Sequence, residues 1–387
     1  MNDQKTTLAL LLTNIFIAFL GIGLVIPVLP TLMKELGVNG TVVGYLTAAF
    51  AIAQLVCSPF TGKAADKMGR KKVLVAGLFL FGFSEVLFGL GKEIEVLFLA
   101  RILGGVSSAL IMPAVTAFIA DVTTLEKRPK ALGYMSAAIN TGFIIGPGIG
   151  GFLADFGTRT PFFFAGALGA VAALLSIVLL KEPERPSETA EEVPELKTSL
   201  KRMLAPMYII AFTLILIASF GLSAFESFFG LFVDGKFLFT PKEIAFVITG
   251  GALLGALIQI LLFDRLAGRW GEIKLIRYSL ILSGILIFLL TVVHDYVWIL
   301  LVTTLAFIGF DLFRPAVTSY LSKIAGNEQG FVGGMNSMFT SLGNIFGPII
   351  GGMLFDVEID YPFYFAAAVM VLGIIITLFW KEPHRGN

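Results

Sequence analysis

Long apolar runs recur along the whole chain, separated by short polar breaks. Twelve of them qualify as membrane spans: 7–29, 41–61, 73–91, 95–118, 131–154, 161–181, 206–232, 243–263, 273–292, 296–320, 330–355 and 362–380. Roughly 20 mostly apolar residues are needed to cross a hydrocarbon core as a helix. A lipid-facing backbone must be helical or a closed barrel. Barrel strands would alternate in short segments. These runs are long and continuously apolar, so they predict helices. The longest polar stretch, 182–204, holds Pro183, Pro186 and Pro194 among many Glu and Lys, and it separates the sixth run from the seventh. It reads as a flexible linker, with a short amphipathic piece near 196–204 suited to the membrane surface. The predicted division is a six-helix bundle over 1–181, the linker 182–204, and a second six-helix bundle over 205–387.

The two bundles are copies of one unit. PAVT occurs at Pro113–Thr116 and again at Pro315–Thr318, 202 residues later. Downstream, the run 142–151 (GFIIGPGIGG) returns as 343–352 (GNIFGPIIGG) at an offset of 201, and PFFFA at 161–165 returns as PFYFA at 362–366. A fixed-distance echo with one residue of slippage is what duplication followed by a loop deletion leaves.

Composition sharpens this picture. Apolar residues make up 57% of the 387-residue chain and charged residues 14%, with 37 phenylalanines. A soluble globule carries about 25% charged residues, so two water-soluble domains are excluded. The net charge of +1 points to no nucleic-acid partner. Cys57 is the only cysteine, which leaves no internal disulfide and no cysteine metal site. The first run exceeds a signal-peptide core and reads as a retained span.

Charge also sets orientation. With a cytoplasmic N-terminus, 21 Lys and Arg fall in cytoplasmic segments and five in outer loops, leaving Arg101 and Arg314 inside spans. That bias predicts both termini and the linker in the cytoplasm. Six spans per half then make the halves parallel repeats about the membrane normal, an arrangement found among transporters.

Few charged groups lie deep inside the spans. Glu226 sits deep in the seventh (GLSAFESFFG), Asp311 midway along the tenth (FIGFDLFRPAV), and Arg314 one turn beyond Asp311. A charge at the bilayer centre costs at least about 2.5–3.5 kcal/mol, so such groups face a cavity or a partner. An Asp311–Arg314 pair could simply fix the helix. Alternatively, Glu226 and Asp311 line a water-accessible cavity and exchange protons. A carboxyl group held away from bulk water can take up a proton near neutral pH, and when ionised it can hold a hydrophobic cation. Arg101, at the start of the fourth span, precedes Gly104 and Gly105. It suits either a cavity role or helix packing, with Glu85 of the third span as a candidate partner. The second half has Thr303 in place of Arg101.

Three further patterns concern shape. The run 62–72 joins spans two and three; Gly62 and Gly69 suit close approach or a tight turn, and Asp66 suits a pair with Arg70 or a helix cap. It reads as a basic topology loop or as a latch, with a looser copy at 264–271. In span five, Gly142, Gly146, Gly148, Gly150 and Gly151 surround Pro147, which suits close helix contact and a pivot. Phe16, Phe19, Phe143, Phe225, Phe229, Phe307 and Phe310, with Asn14, Asn140 and Asn344, are candidates for a cavity face. Aromatic walls beside a carboxylate suit flat, greasy cations.

On these residues the chain resembles the major facilitator superfamily, in its drug:proton antiporter group with twelve spans. Gly62, Asp66, Gly69 and Arg70 are similar to the superfamily's loop motif, Arg101 with Gly104–Gly105 to its fourth-span motif, and Gly142 through Gly151 to its antiporter motif. The second loop motif departs from the pattern, with two residues between Arg265 and Gly268 and with Arg269 followed by Trp270. The resemblance implies the major facilitator fold: an all-α polytopic membrane protein whose twelve transmembrane helices form two pseudo-symmetric six-helix bundles. It implies proton coupling at Glu226 and Asp311, with Arg314 and Arg101 as neighbouring cations. It places Phe19, Arg101, Asn140, Phe143, Phe307 and Asn344 at substrate, and the cavity reading of the residues adds Phe16, Glu226 and Asp311. The activity it implies is proton-coupled multidrug efflux by alternating access from the bacterial plasma membrane, with no enzyme chemistry, cofactor or metal. The partners are protons, membrane lipid and hydrophobic or cationic small molecules such as fluoroquinolones, ethidium-like dyes and quaternary ammonium compounds. A monomer suffices. A proton-coupled transporter of a sugar or other small metabolite would share the fold, with more hydrogen-bond donors and less aromatic bulk in its pocket.

Overall fold

The computed structural model describes residues 2–124, 126–183, 206–325 and 329–380. The stretch 184–204, with the amphipathic piece expected there, lies outside them. Each of the twelve apolar runs is helical, and among the described residues twelve helical segments are long and apolar enough to cross a membrane. The first span is interrupted. Helix α1 (Asn2–Val25) passes through a 3-10 turn at Ile26–Val28 into α2 (Leu29–Glu35). Pro27 and Pro30 remove backbone donors there, which weakens the α-helical ladder locally. The remaining first-half spans are α3 (Gly40–Met68), α4 (Arg70–Leu90), α5 (Ile94–Val122), α6 (Arg128–Leu153) and α7 (Thr160–Leu179). The second half holds α8 (Pro206–Phe237), α9 (Pro241–Trp270), α10 (Glu272–Val292), α11 (Tyr296–Ala325), α12 (Gln329–Val357) and α13 (Tyr361–Phe379).

The described residues cluster into two compact units. One holds 2–38, 46–124, 126–183 and 239–249; the other holds 39–45, 206–238, 250–325 and 329–380. Within the first, α1 packs on α6 and α7, and α4 on α5 and α7. Within the second, α8 packs on α12 and α13, and α10 on α11 and α13. These are the same pairs shifted by one repeat, so the sequence echo is an echo in packing. Helix α5 carries Pro113 and α11 carries Pro315; α6 carries Pro147 and α12 Pro348, all inside continuous helices.

Glycine sets the closest contact. A Cβ on Gly142 would lie 2.8 Å from the Leu20 backbone nitrogen, one on Gly146 would lie 2.7 Å from the Leu20 carbonyl oxygen, and one on Gly150 would collide with the Leu24 carbonyl. The four-residue spacing of these three puts a bare stripe of α6 against the α1 backbone, which no other residue permits. In the second unit Gly343 and Gly347 meet the Phe220 backbone on α8, whereas Gly351 meets side chains, the Phe228 ring most closely. Gly148 and Gly151 face a different way, toward Thr249 and Ala245.

The polar run 62–72 is mostly helix. Helix α3 continues to Met68, and the break is confined to Gly69, whose φ is +108°. Gly271 breaks α9 from α10 in the same way at φ +79°. Only glycine adopts such angles without strain. Gly62 lies inside α3, and a Cβ there would meet nothing within 4 Å, so neither close approach nor a turn accounts for it.

Candidate functional site

The acids expected in the second half come from two helices of one unit. Helix α8 carries Glu226 and α11 carries Asp311 and Arg314. Glu226 and Arg314 are exposed and Asp311 is half-buried. Arg314 and Asp311 are the charges that bear on Glu226, and Arg314 is the one that bears on Asp311. No contact ion pair closes between Asp311 and Arg314 among the described residues. Two acids and one cation therefore share a neighbourhood without cancelling one another. This arrangement can hold a net negative charge, bind a cation or accept a proton.

The seat of Asp311 is built by glycine on α9. A Cβ on Gly255 would collide with the Asp311 carboxylate, and one on Gly251 would lie 2.8 Å from the Phe307 ring. Gly251 and Gly255 are four residues apart, as are Phe307 and Asp311, so two one-turn steps interlock. Sequence reasoning passed over these glycines, although their spacing in an apolar span was visible.

The phenylalanines divide by role. Phe225 is 1% exposed and centres a ring cluster, with Phe229 at 5.5 Å, Phe307 at 5.6 Å and Phe310 at 6.4 Å. Phe225, Phe229 and Phe310 are thus packing behind the acids, not an open face. Phe307, also buried, joins this cluster to Gly251. In the first unit Phe19 meets Phe143 edge-on at 5.0 Å, and Phe143 is exposed. Phe16 is half-buried against the core. Phe19 also lines a small cavity with Phe50, Gly104, Ser107 and Met112. Asn140 on α6 and Asn344 on α12 are exposed. Asn14 is instead buried and donates to Ser176 Oγ at 2.8 Å, pinning α1 to α7. Arg101 stands apart from these, its guanidinium 4.2 Å above the Phe88 ring.

At the α3–α4 break, Arg70 donates from Nε to Asp121 at 3.1 Å and pairs with Asp66. The cap of α4 does not come from Asp66. Gly69 has no side chain to offer, and Glu182 accepts from the backbone N–H groups of Arg70 and Lys71. The second unit makes its version with the signs exchanged. Lys323 pairs with Glu272, to which Ser319 also donates at 3.2 Å. Glu272 lies 202 residues after Arg70 and Lys323 lies 202 after Asp121, so an Arg–Asp pair has become a Glu–Lys pair at equivalent positions.

Known proteins share this sequence and this architecture. The sequence profile described as Major Facilitator Superfamily matches residues 11–237 and 211–387. Multidrug resistance protein 1 of Bacillus subtilis (strain 168) is 64% identical over 383 residues, covering 99% of this chain and 98% of that protein. Quinolone resistance protein NorA of Staphylococcus aureus (strain COL) is 47% identical over 389 residues, covering 100% and 98%. Among solved structures, the nucleoside transporter NupG superposes with a TM-score of 0.79 at 16% identity, covering 98% of this chain and 100% of that one. A bacterial homologue of the human lysosomal transporter Spinster does so with 0.80 at 16% identity, covering 97% and 95%. At that identity the likeness concerns fold alone. With the profile spanning both halves and relatives matched end to end, the chain belongs to the major facilitator superfamily of secondary membrane transporters.

Proposed function

We propose that this chain is a proton-coupled multidrug efflux antiporter, exporting hydrophobic and often cationic compounds across the cell membrane by alternating access. The observation that carries the reading is the acid group formed by Glu226 and Asp311 beside Arg314, inside two spans and without a contact ion pair among the described residues. The names of the multidrug and quinolone resistance relatives support it.

The mechanism follows from charge. With Glu226 and Asp311 ionised, the site attracts a lipophilic cation, and Phe307 is the aromatic residue one turn before Asp311 that would meet it. Access to the outside lets protons reach the acids; neutralised, they lose their hold on the cation, and it leaves. The empty protonated carrier returns, and loss of protons to the cytoplasm restores the attraction. The two acids act as one coupled unit, so the proton belongs to the pair. Phe16, Phe19, Asn140, Phe143 and Asn344 serve as substrate contacts, and Arg101 as a second cation of the coupling machinery. Gly62, Asp66, Gly69 and Arg70 form a conformational motif, and Gly142, Gly146, Pro147, Gly150 and Gly151 a pivot. The bundles 1–181 and 205–387 work as a monomer, with linker and termini in the cytoplasm.

The test is transport in liposomes of purified protein under an imposed pH gradient, with ethidium as the reporter. Accumulation that depends on the gradient and disappears when it is collapsed supports the reading. If several lipophilic cations fail to move through folded protein, the cargo is a different metabolite.

A further inference from the structure

The first unit holds a buried carboxyl that the mechanism above does not use. Glu85 on α4 is 6% exposed, and its Oε2 has no hydrogen-bond partner. Phe88, one turn further along the same helix, lies under the Arg101 guanidinium at 4.2 Å and stacks on Phe162 at 5.0 Å. Arg101 on α5 is the charge that bears on Glu85, and Glu85 the one that bears on Arg101. Ring and carboxylate, both from α4, thus hold one cation from two points. The two charges attract without closing a contact ion pair, which leaves Oε2 free.

The other helices packed on α4 offer no competing charge. Helix α7 contains no ionisable residue between Thr160 and Leu179. Arg159, just before it, is committed to the carbonyls of Gly89 and Gly91 at 2.6 and 2.8 Å. Helix α1 approaches α4 near this depth through Gly21, against the Phe81 ring, and has no ionisable residue between Thr6 and Val25. The internal repeat makes an independent point. At an offset of 202, Glu85 corresponds to Ile287 and Arg101 to Thr303. Both charges are present in one half and both absent from the other, as expected of residues that work only together. A buried ionised carboxylate is tolerated when a cation compensates it, and removing one partner strands the other.

We propose that Glu85 is a positioning residue with a proton of its own: ionised, it holds Arg101 over Phe88, and on taking up a proton at the free oxygen it releases that guanidinium. The step adds one proton and removes one negative charge; Arg101 stays charged throughout. This rests on the proton-exchange reading and adds to it a switch in the first unit, separate from Glu226 and Asp311.

Two measurements on the full-length protein decide it. Infrared difference spectra during a pH titration in micelles read carboxyl protonation directly. Glu85→Gln should delete one titrating carboxyl band, Glu85→Asp should retain it, and Arg101→Lys should displace its midpoint. In liposomes, Glu85→Gln should still move ethidium but shift the pH profile of transport by about one unit, with Glu85→Asp close to wild type. An unchanged infrared titration in Glu85→Gln, or a transport profile that superimposes on wild type, overturns the proposal. If wild-type protein moves no ethidium under a gradient, the proton-exchange reading fails instead, and the infrared bands still decide whether Glu85 carries a proton.

Discussion

At the scale of single residues, the site depends on what is small as much as on what is charged. Asp311 keeps its place because Gly255 has no side chain. Gly255→Ala should therefore move the carboxylate and cut gradient-driven ethidium transport sharply, while the protein still folds; Gly250→Ala, where a Cβ meets nothing within 4 Å, is the matched control. Equal activity in the two variants would remove Gly255 from the site. Glu226→Gln and Asp311→Asn should each abolish proton-driven movement with folded protein left in the membrane, and full transport by both would rule out the pair as the coupling group. Glu226, Asp311 and Arg314 were legible in the sequence because charge inside an apolar run is conspicuous. Helix rotation was not legible. Phe225 and Phe143 look alike in the chain, yet one is buried among rings and the other is exposed. The seating of Asp311 on Gly255 and the capping of α4 by Glu182 join residues far apart in sequence, so no local pattern could announce them.

At the scale of elements, the twelve spans were readable from hydropathy because a long apolar run has one stable form in lipid. Their ends were less readable: α3 and α9 run well past the apolar segment, to Met68 and Trp270. The contact of α6 with α1 is a backbone-to-backbone seam. Gly150→Ala should lower stability by about 1–3 kcal/mol, as overpacking does. Gly351→Ala should cost less, since a Phe228 ring can rotate and a carbonyl cannot. Thermal unfolding in micelles measures both, and a reversed order would mean that the seam is softer than its geometry. The breaks after α3 and α9 make a second comparison. Lys323→Glu should place like charges together and cost about 0.2–1 kcal/mol, with the double reversal Glu272→Lys/Lys323→Glu recovering most of it. A double variant no better than the single one would deny that the pair is the reason for the exchange of signs.

For the whole molecule, duplication explains the order of the chain. Each unit packs its own helices in the same pairs, while the polar residues have diverged: acids and Arg314 in one, Glu85 and Arg101 in the other. Orientation is a matter for the entire chain and was argued from charge alone. Since Cys57 is the sole cysteine, Cys57→Ser provides a blank background. Lys67→Cys should then react with a membrane-impermeant maleimide only from the cytoplasmic side, and Lys92→Cys only from outside. The opposite labelling would invert the topology.

The exchanged pairs Arg70–Asp121 and Glu272–Lys323 also carry a history. No single replacement converts one into the other. Starting from either, the first change alone leaves two like charges facing each other or one charge without its mate. Both halves nevertheless arrived at attraction. Descent has kept the bond and let go of the letters that spell it, so a comparison of the two halves by identity alone would score as divergence the very contact they hold in common.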